Sequence, residues 1–192
     1  MLDRHTYLIR EHVGMMKLHE AFDILDPETG DLLATAVEEA SSWRKAAKLV
    51  VNKGMLPFEV HIDDPQGKRL MTVSRGFTFL RSRVRVTAGG QLLGTFKQRL
   101  MSIGGKFDIL DANDRKVAQL KGNLVGWNFK FVSESGQELG VVTKKWAGIG
   151  KELFTSADNY IVTIAKEVDP VGAGSLLLAA ALCIDMVFKE NQ

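Results

Sequence analysis

Ser156, Asp158 and Glu167 fall at positions 1, 3 and 12 of a run within FTSADNYIVTIAKEVD (154–169), the spacing at which a calcium-binding loop presents its oxygen ligands. Such a loop needs Gly at position 6 for its sharp turn and several carboxylates among the early positions. Ile161 stands at position 6, and Asp158 is the single early acid. Asp158 and Glu167 are therefore weak calcium candidates, and no cofactor is expected. Tyr160, Val162 and Ile164 alternate with Ile161 and Thr163, which is the pattern of a largely buried strand.

A second kind of chemistry lies in SRGFTFLRSRVRV. Arg81, Arg83 and Arg85 recur at every second residue, so on a strand their guanidinium groups share one face, opposite Leu80, Val84 and Val86. Guanidinium forks match phosphate oxygens, and a solvated outer face is the plainer alternative. Arg44, Lys45 and Lys48 form a third basic group, on a segment (38–54) that places Trp43, Ala46, Ala47 and Val50 at helical spacing. This short amphipathic helix either closes one end of the fold or lies on a membrane surface. Together these six residues are the candidate lipid- or phosphate-binding set.

The remaining polar constellations carry less. His5, His12 and His19 recur every seven residues, but YLIREHVGMMKLHEAFDI alternates like strands, where an odd spacing changes face. They read as independent surface histidines with no metal. No Ser, His and acid set sits on a nucleophile elbow, and Gly89-Gly90 and Gly104-Gly105 lack the context of a phosphate loop. The sequence does not read as that of an enzyme.

Composition narrows the classes further. The 25 Lys and Arg nearly balance 23 Asp and Glu, for a net charge of +2, so a general nucleic-acid binder is not expected and any basic surface must be local. Cys183 is the only cysteine and lies in an apolar run, which excludes a disulfide framework and points to a reducing, cytoplasmic setting. The charged start MLDRHTYLIREH lacks the apolar core of a signal peptide. With 192 residues and no linker or low-complexity tract, residues 1–192 are expected to form one domain.

The elements that must position these residues follow one grammar. FDILDPETGDLLAT (22–35), FEVHIDDPQGKRLMTV (58–73), VRVTAGGQLLGTF (84–96), FDILDANDRKVAQL (107–120) and FKFVSESGQELGVV (129–142) each read as two alternating strands around an acidic or Gly-containing turn. The repeat of FDIL at 22 and 107 suggests two similar halves. Ten or so antiparallel strands in this pattern predict a closed or nearly closed barrel. Such a barrel encloses more volume than its own side chains fill. Val171 to Phe188, with Asp185 as its single charge and many small residues, predicts a thin apolar helix of about 27 Å. Threading it through the barrel covers both surfaces at once; a transmembrane span is the alternative.

In these stretches the chain resembles the phospholipid scramblases. KKWAGIGKELFTSADNYIV followed by LLLAAALCIDMVF (144–188) looks like that family's C-terminal region, and FDILD, TAVEEAS, LPFEVHI and KFDILD fall where the family has its hairpins. The resemblance covers nearly the whole chain. It implies the Tubby-like fold, a closed barrel of about twelve strands around a central hydrophobic C-terminal helix, shared with the plant LURP-one-related proteins. It also implies a cytoplasmic, peripheral association with membrane phospholipids and their movement between leaflets. The related alternative is a non-enzymatic binding module for anionic lipid headgroups or a protein partner. Where the family carries a cysteine-rich, lipid-anchored segment this chain has SSWRKAAKLVVNKG, so palmitoyl anchoring is not expected. The family motif also has an acid at the place of Ser156 and Gly at that of Ile161, which further weakens calcium.

Overall fold

The structure is a computed structural model and describes residues 2–12, 21–39, 56–77, 82–98, 107–123, 127–144 and 159–189. Among them twelve strands run in chain order: β1 (Thr6–Glu11), β2 (Ala21–Leu25), β3 (Leu32–Glu38), β4 (Phe58–Asp63), β5 (Arg69–Arg75), β6 (Arg83–Ala88), β7 (Gln91–Gln98), β8 (Phe107–Asp111), β9 (Lys116–Asn123), β10 (Asn128–Val132), β11 (Glu138–Thr143) and β12 (Asn159–Ile164). Each pairs antiparallel with the next, and β12 pairs with β1 to close the barrel.

The five hairpins that the sequence predicts are all present, and local chemistry explains their likeness. Asp26 accepts the backbone N–H of Glu28 and Thr29 at 2.7 and 3.1 Å, Asp64 those of Gln66 and Lys68, and Asp111 those of Asn113 and Arg115. Ser133 takes the same part toward Gln137. In these turns the left-handed position is held by Gly30, Gly67, Asp114 and Gly136, and glycine or a short polar residue tolerates it best. Each of the five hairpins carries a register shift beside its turn. The two FDIL repeats open β2 and β8, six strands apart in the ring and so on opposite sides of it.

Period-two alternation sends Phe22 and Ile24, Val60 and Ile62, Val84 and Val86, and Phe129 and Phe131 into the lumen. The interior is completed by α1 (Ser175–Lys189), whose residues Leu176 to Ile184 are all buried. The predicted core helix therefore occupies the barrel. It departs from the expected bounds at its start: the Asp169 carboxylate accepts from Val171 and Gly172 at 3.3 and 2.8 Å, and the Gly174 N–H reaches the Asp169 carbonyl. These bonds draw Pro170–Gly174 into a wider π-type turn, and regular α-helix begins at Ser175. Burying Leu176, Leu177, Leu178, Leu182 and Ile184 contributes on the order of 2 kcal/mol each. Among the described residues no helix is long and apolar enough to cross a membrane.

The tight turns at 26–31, 64–68, 89–90, 112–115 and 133–137 gather at the rim where the chain passes from β12 into α1. The segment 38–54, expected to hold a short helix, lies mostly outside the described residues.

Candidate anion-binding surface

β6 forms because RVRVTA alternates charge with β-branched apolar side chains. Val84 and Val86 are fully buried in the lumen, so Arg83 and Arg85 project outward, as their spacing predicts. Arg83 reaches across the outer face to Asp114, with its Nη2 2.8 Å from Oδ1 in an exposed ion pair. Arg85 has no ion-pair partner among the described residues; it stands opposite Ser74 on β5 and Thr95 on β7. Arg83 stands directly opposite Lys97, which the sequence reading did not select. Arg81, Arg44, Lys45 and Lys48 lie outside the described residues.

The calcium candidates separate in kind. Ser156 and Asp158 lie outside the described residues, while Glu167 is exposed in the turn beyond β12. The stretch between them, Asn159–Ile164, is extended strand hydrogen-bonded to β1 on one side and β11 on the other. A paired strand cannot curl around an ion as a twelve-residue loop must.

A histidine and two acids do meet on the outer face of β4. His61 Nε2 lies 3.2 Å from Glu39 and 3.6 Å from Glu59. Arg69 donates to His61 Nδ1 on the other side of the ring. The histidine and the two acids, exposed or half-buried, form a polar cluster with Arg69 at its edge. His12 likewise faces Asp23 at 2.8 Å, and His19 lies outside the described residues.

Inside the barrel, Arg75 is buried with its Nε and Nη2 donating to the Leu56 carbonyl at 3.2 and 2.7 Å and its guanidinium 4.6 Å above the Phe58 ring. Cys183 is also buried, and burial pushes its thiol far up, with the charge of Arg75 pulling the other way. Neither group faces solvent. Among the described residues, the polar groups able to meet a large external anion are therefore on the outer faces of the strands and in the turns.

The family profile described as Scramblase matches residues 21–191. Altered inheritance rate of mitochondria protein 25 of Saccharomyces cerevisiae is 20% identical over 218 residues, covering 96% of this chain and 66% of that protein. Phospholipid scramblase family member 5 of Homo sapiens is 23% identical over 178 residues, covering 84% of this chain and 64% of that protein. A phospholipid scramblase family protein of Schizosaccharomyces pombe is 19% identical, and the matched part is 46% of its length. The chain thus spans between about half and two thirds of these relatives. Among solved structures, a protein of Arabidopsis thaliana shares the fold with a TM-score of 0.54 at 15% identity, covering 94% of this chain and 92% of that one.

Proposed function

The chain belongs to the scramblase family, and from that premise we propose that it associates with anionic phospholipid headgroups through the exterior of its barrel, as a scramblase-like protein acting at the membrane surface. The observation that carries this reading is the outward pair Arg83 and Arg85 on a wall whose inner side is apolar and faces the central helix. Leu176 to Ile184 occupy the lumen with apolar side chains, which favours contact between a polar headgroup and the exterior of the barrel. Exposed guanidinium groups meet phosphate oxygens there without desolvating a buried charge. The reading involves no covalent step and no catalytic residue.

The filled lumen favours a second reading within the same chemistry: a module that holds headgroups and moves no lipid. Liposomes carrying a fluorescent phospholipid in one leaflet, with and without calcium, separate the two. Label that crosses in the presence of protein supports lipid movement between leaflets. Binding without crossing supports the module, and absence of both overturns the proposal.

A further inference from the structure

The two sides of the barrel differ in charge to a degree that the net charge of +2 conceals. Strands β6 to β10 carry six cations, Arg83, Arg85, Lys97, Lys116, Lys121 and Lys130, and only two acids, Asp108 and Asp111. Strands β1 to β5 carry three arginines and five acids. On that side the two exposed arginines are both matched: Arg10 holds Asp23 at 2.6 Å and Arg69 holds Asp63.

On the β6–β10 wall Asp108 of β8 stands opposite Lys97 and pairs with Lys116 at 3.4 Å, but two other cross-strand pairs run against electrostatics. Arg83 is directly opposite Lys97, and Lys121 is directly opposite Lys130. Like charges facing each other across a ladder destabilise a sheet. Asp114 and Glu138 relieve Arg83 and Lys130, but Lys97 and Lys121 have no ion-pair partner among the described residues. Among the described residues the wall therefore carries more cations than acids, with Lys121 facing only a like charge in its β10 partner, and an external anion would relieve the repulsion.

We infer that the β6–β10 wall is the face that lies against an anionic bilayer, with the β1–β5 wall turned away. This rests on the lipid reading above and adds to it an orientation and the residues Lys97 and Lys121. Four of the six cations are lysines, compact point charges suited to a diffuse anionic surface. Nucleic acid fits less well: the aromatic side chains on these strands, Phe96, Phe107, Phe129 and Phe131, are all buried, so the wall offers no platform on which bases stack.

The test uses the full chain and sedimentation with vesicles of phosphatidylserine and phosphatidylcholine, against vesicles of phosphatidylcholine alone. The wall variant Lys97→Gln/Lys121→Gln is compared with Lys68→Gln/Lys166→Gln, which removes the same net charge from exposed turn lysines at the rim. A basic residue near an anionic surface is worth about fivefold in partitioning, so the wall variant should bind about twenty-five-fold more weakly while the rim variant loses much less. Its unfolding midpoint should stay close to that of the wild type, because the substitutions remove repulsion from Arg83 and Lys130 along with the attraction of Asp108 for Lys97. Equal loss in both variants, or none in the wall variant, overturns the orientation while leaving lipid binding intact. A wild type that ignores anionic vesicles overturns the lipid reading and the orientation with it. A wild type that prefers a single-stranded oligonucleotide, through Lys97 and Lys121, replaces the bilayer with a different partner.

Discussion

Leu176 of the central helix packs against the bare backbone of Gly94 on β7, so closely that a Cβ placed on Gly94 would stand 2.8 Å from Leu176 Cδ2 and press on the Leu110 carbonyl as well. The contact ties the barrel wall to its filling. Replacing Gly by Ala inside a strand ordinarily helps by roughly 0.5–1 kcal/mol. Here the sign should reverse: Gly94→Ala should lose about 1–3 kcal/mol, the scale of overpacking. Urea unfolding measures it, and an unchanged or raised midpoint would show that the helix yields more easily than the packing implies.

Acid should act through Asp26. Burial raises its carboxyl pKa, but the N–H groups of Glu28 and Thr29 and the Arg4 guanidinium outweigh burial and hold it below its ordinary 3.8. A native value lowered in this way contributes stability above the unfolded value and loses it as pH falls through the native one. The difference in thermal midpoint between the wild type and Asp26→Asn should therefore be largest near neutrality and shrink below about pH 4. A difference that stays constant across this range would assign the effect to turn geometry alone.

Cys183 should be silent toward thiol reagents. Its burial in the lumen disfavours the thiolate, which is the reactive form. Ellman's reagent should find almost no free thiol in the native protein and one per chain in denaturant. Rapid native labelling would mean that the helix leaves the barrel on the timescale of the assay.

Calcium is expected to bind no more tightly than about the millimolar range, since Asn159–Ile164 is committed to two neighbouring strands. Isothermal titration with micromolar affinity would place the ion elsewhere or contradict the strand.

Much of this fold is written in local pattern. The hairpins announce themselves because Asp26, Asp64, Asp111 and Ser133 each sit where a side-chain oxygen can organise the turn, and the helix because a barrel of this size must be filled. Facing along a single strand is equally legible: the spacing of Arg83 and Arg85 puts both on the face opposite Val84 and Val86, and both are exposed. Facing between strands was not. Counting back from the Gly89-Gly90 turn with a regular ladder puts Phe96 opposite Arg83; the shift between Val86 and Thr87 puts Lys97 there instead. A bulge leaves little trace in a sequence, yet it decides which charges meet. The Arg83–Asp114 pair spans 31 positions and belongs to tertiary structure. Regular helix begins at Ser175 and not at Val171 because Asp169 organises a π-type turn that apolar periodicity does not report.

The central claim is that this barrel meets phospholipid through exterior cations, and its most direct test is equilibrium partitioning of the wild type, Arg83→Gln and Arg85→Gln onto phosphatidylserine-containing vesicles at low and physiological salt. The account predicts binding to the anionic vesicles only, weakened by salt because exposed charges are screened beyond about 8 Å at physiological ionic strength. Arg85→Gln should lose about 1 kcal/mol, and Arg83→Gln less, since Asp114 already offsets that charge. Failure to bind anionic vesicles at low salt, or equal binding to phosphatidylcholine alone, would contradict it.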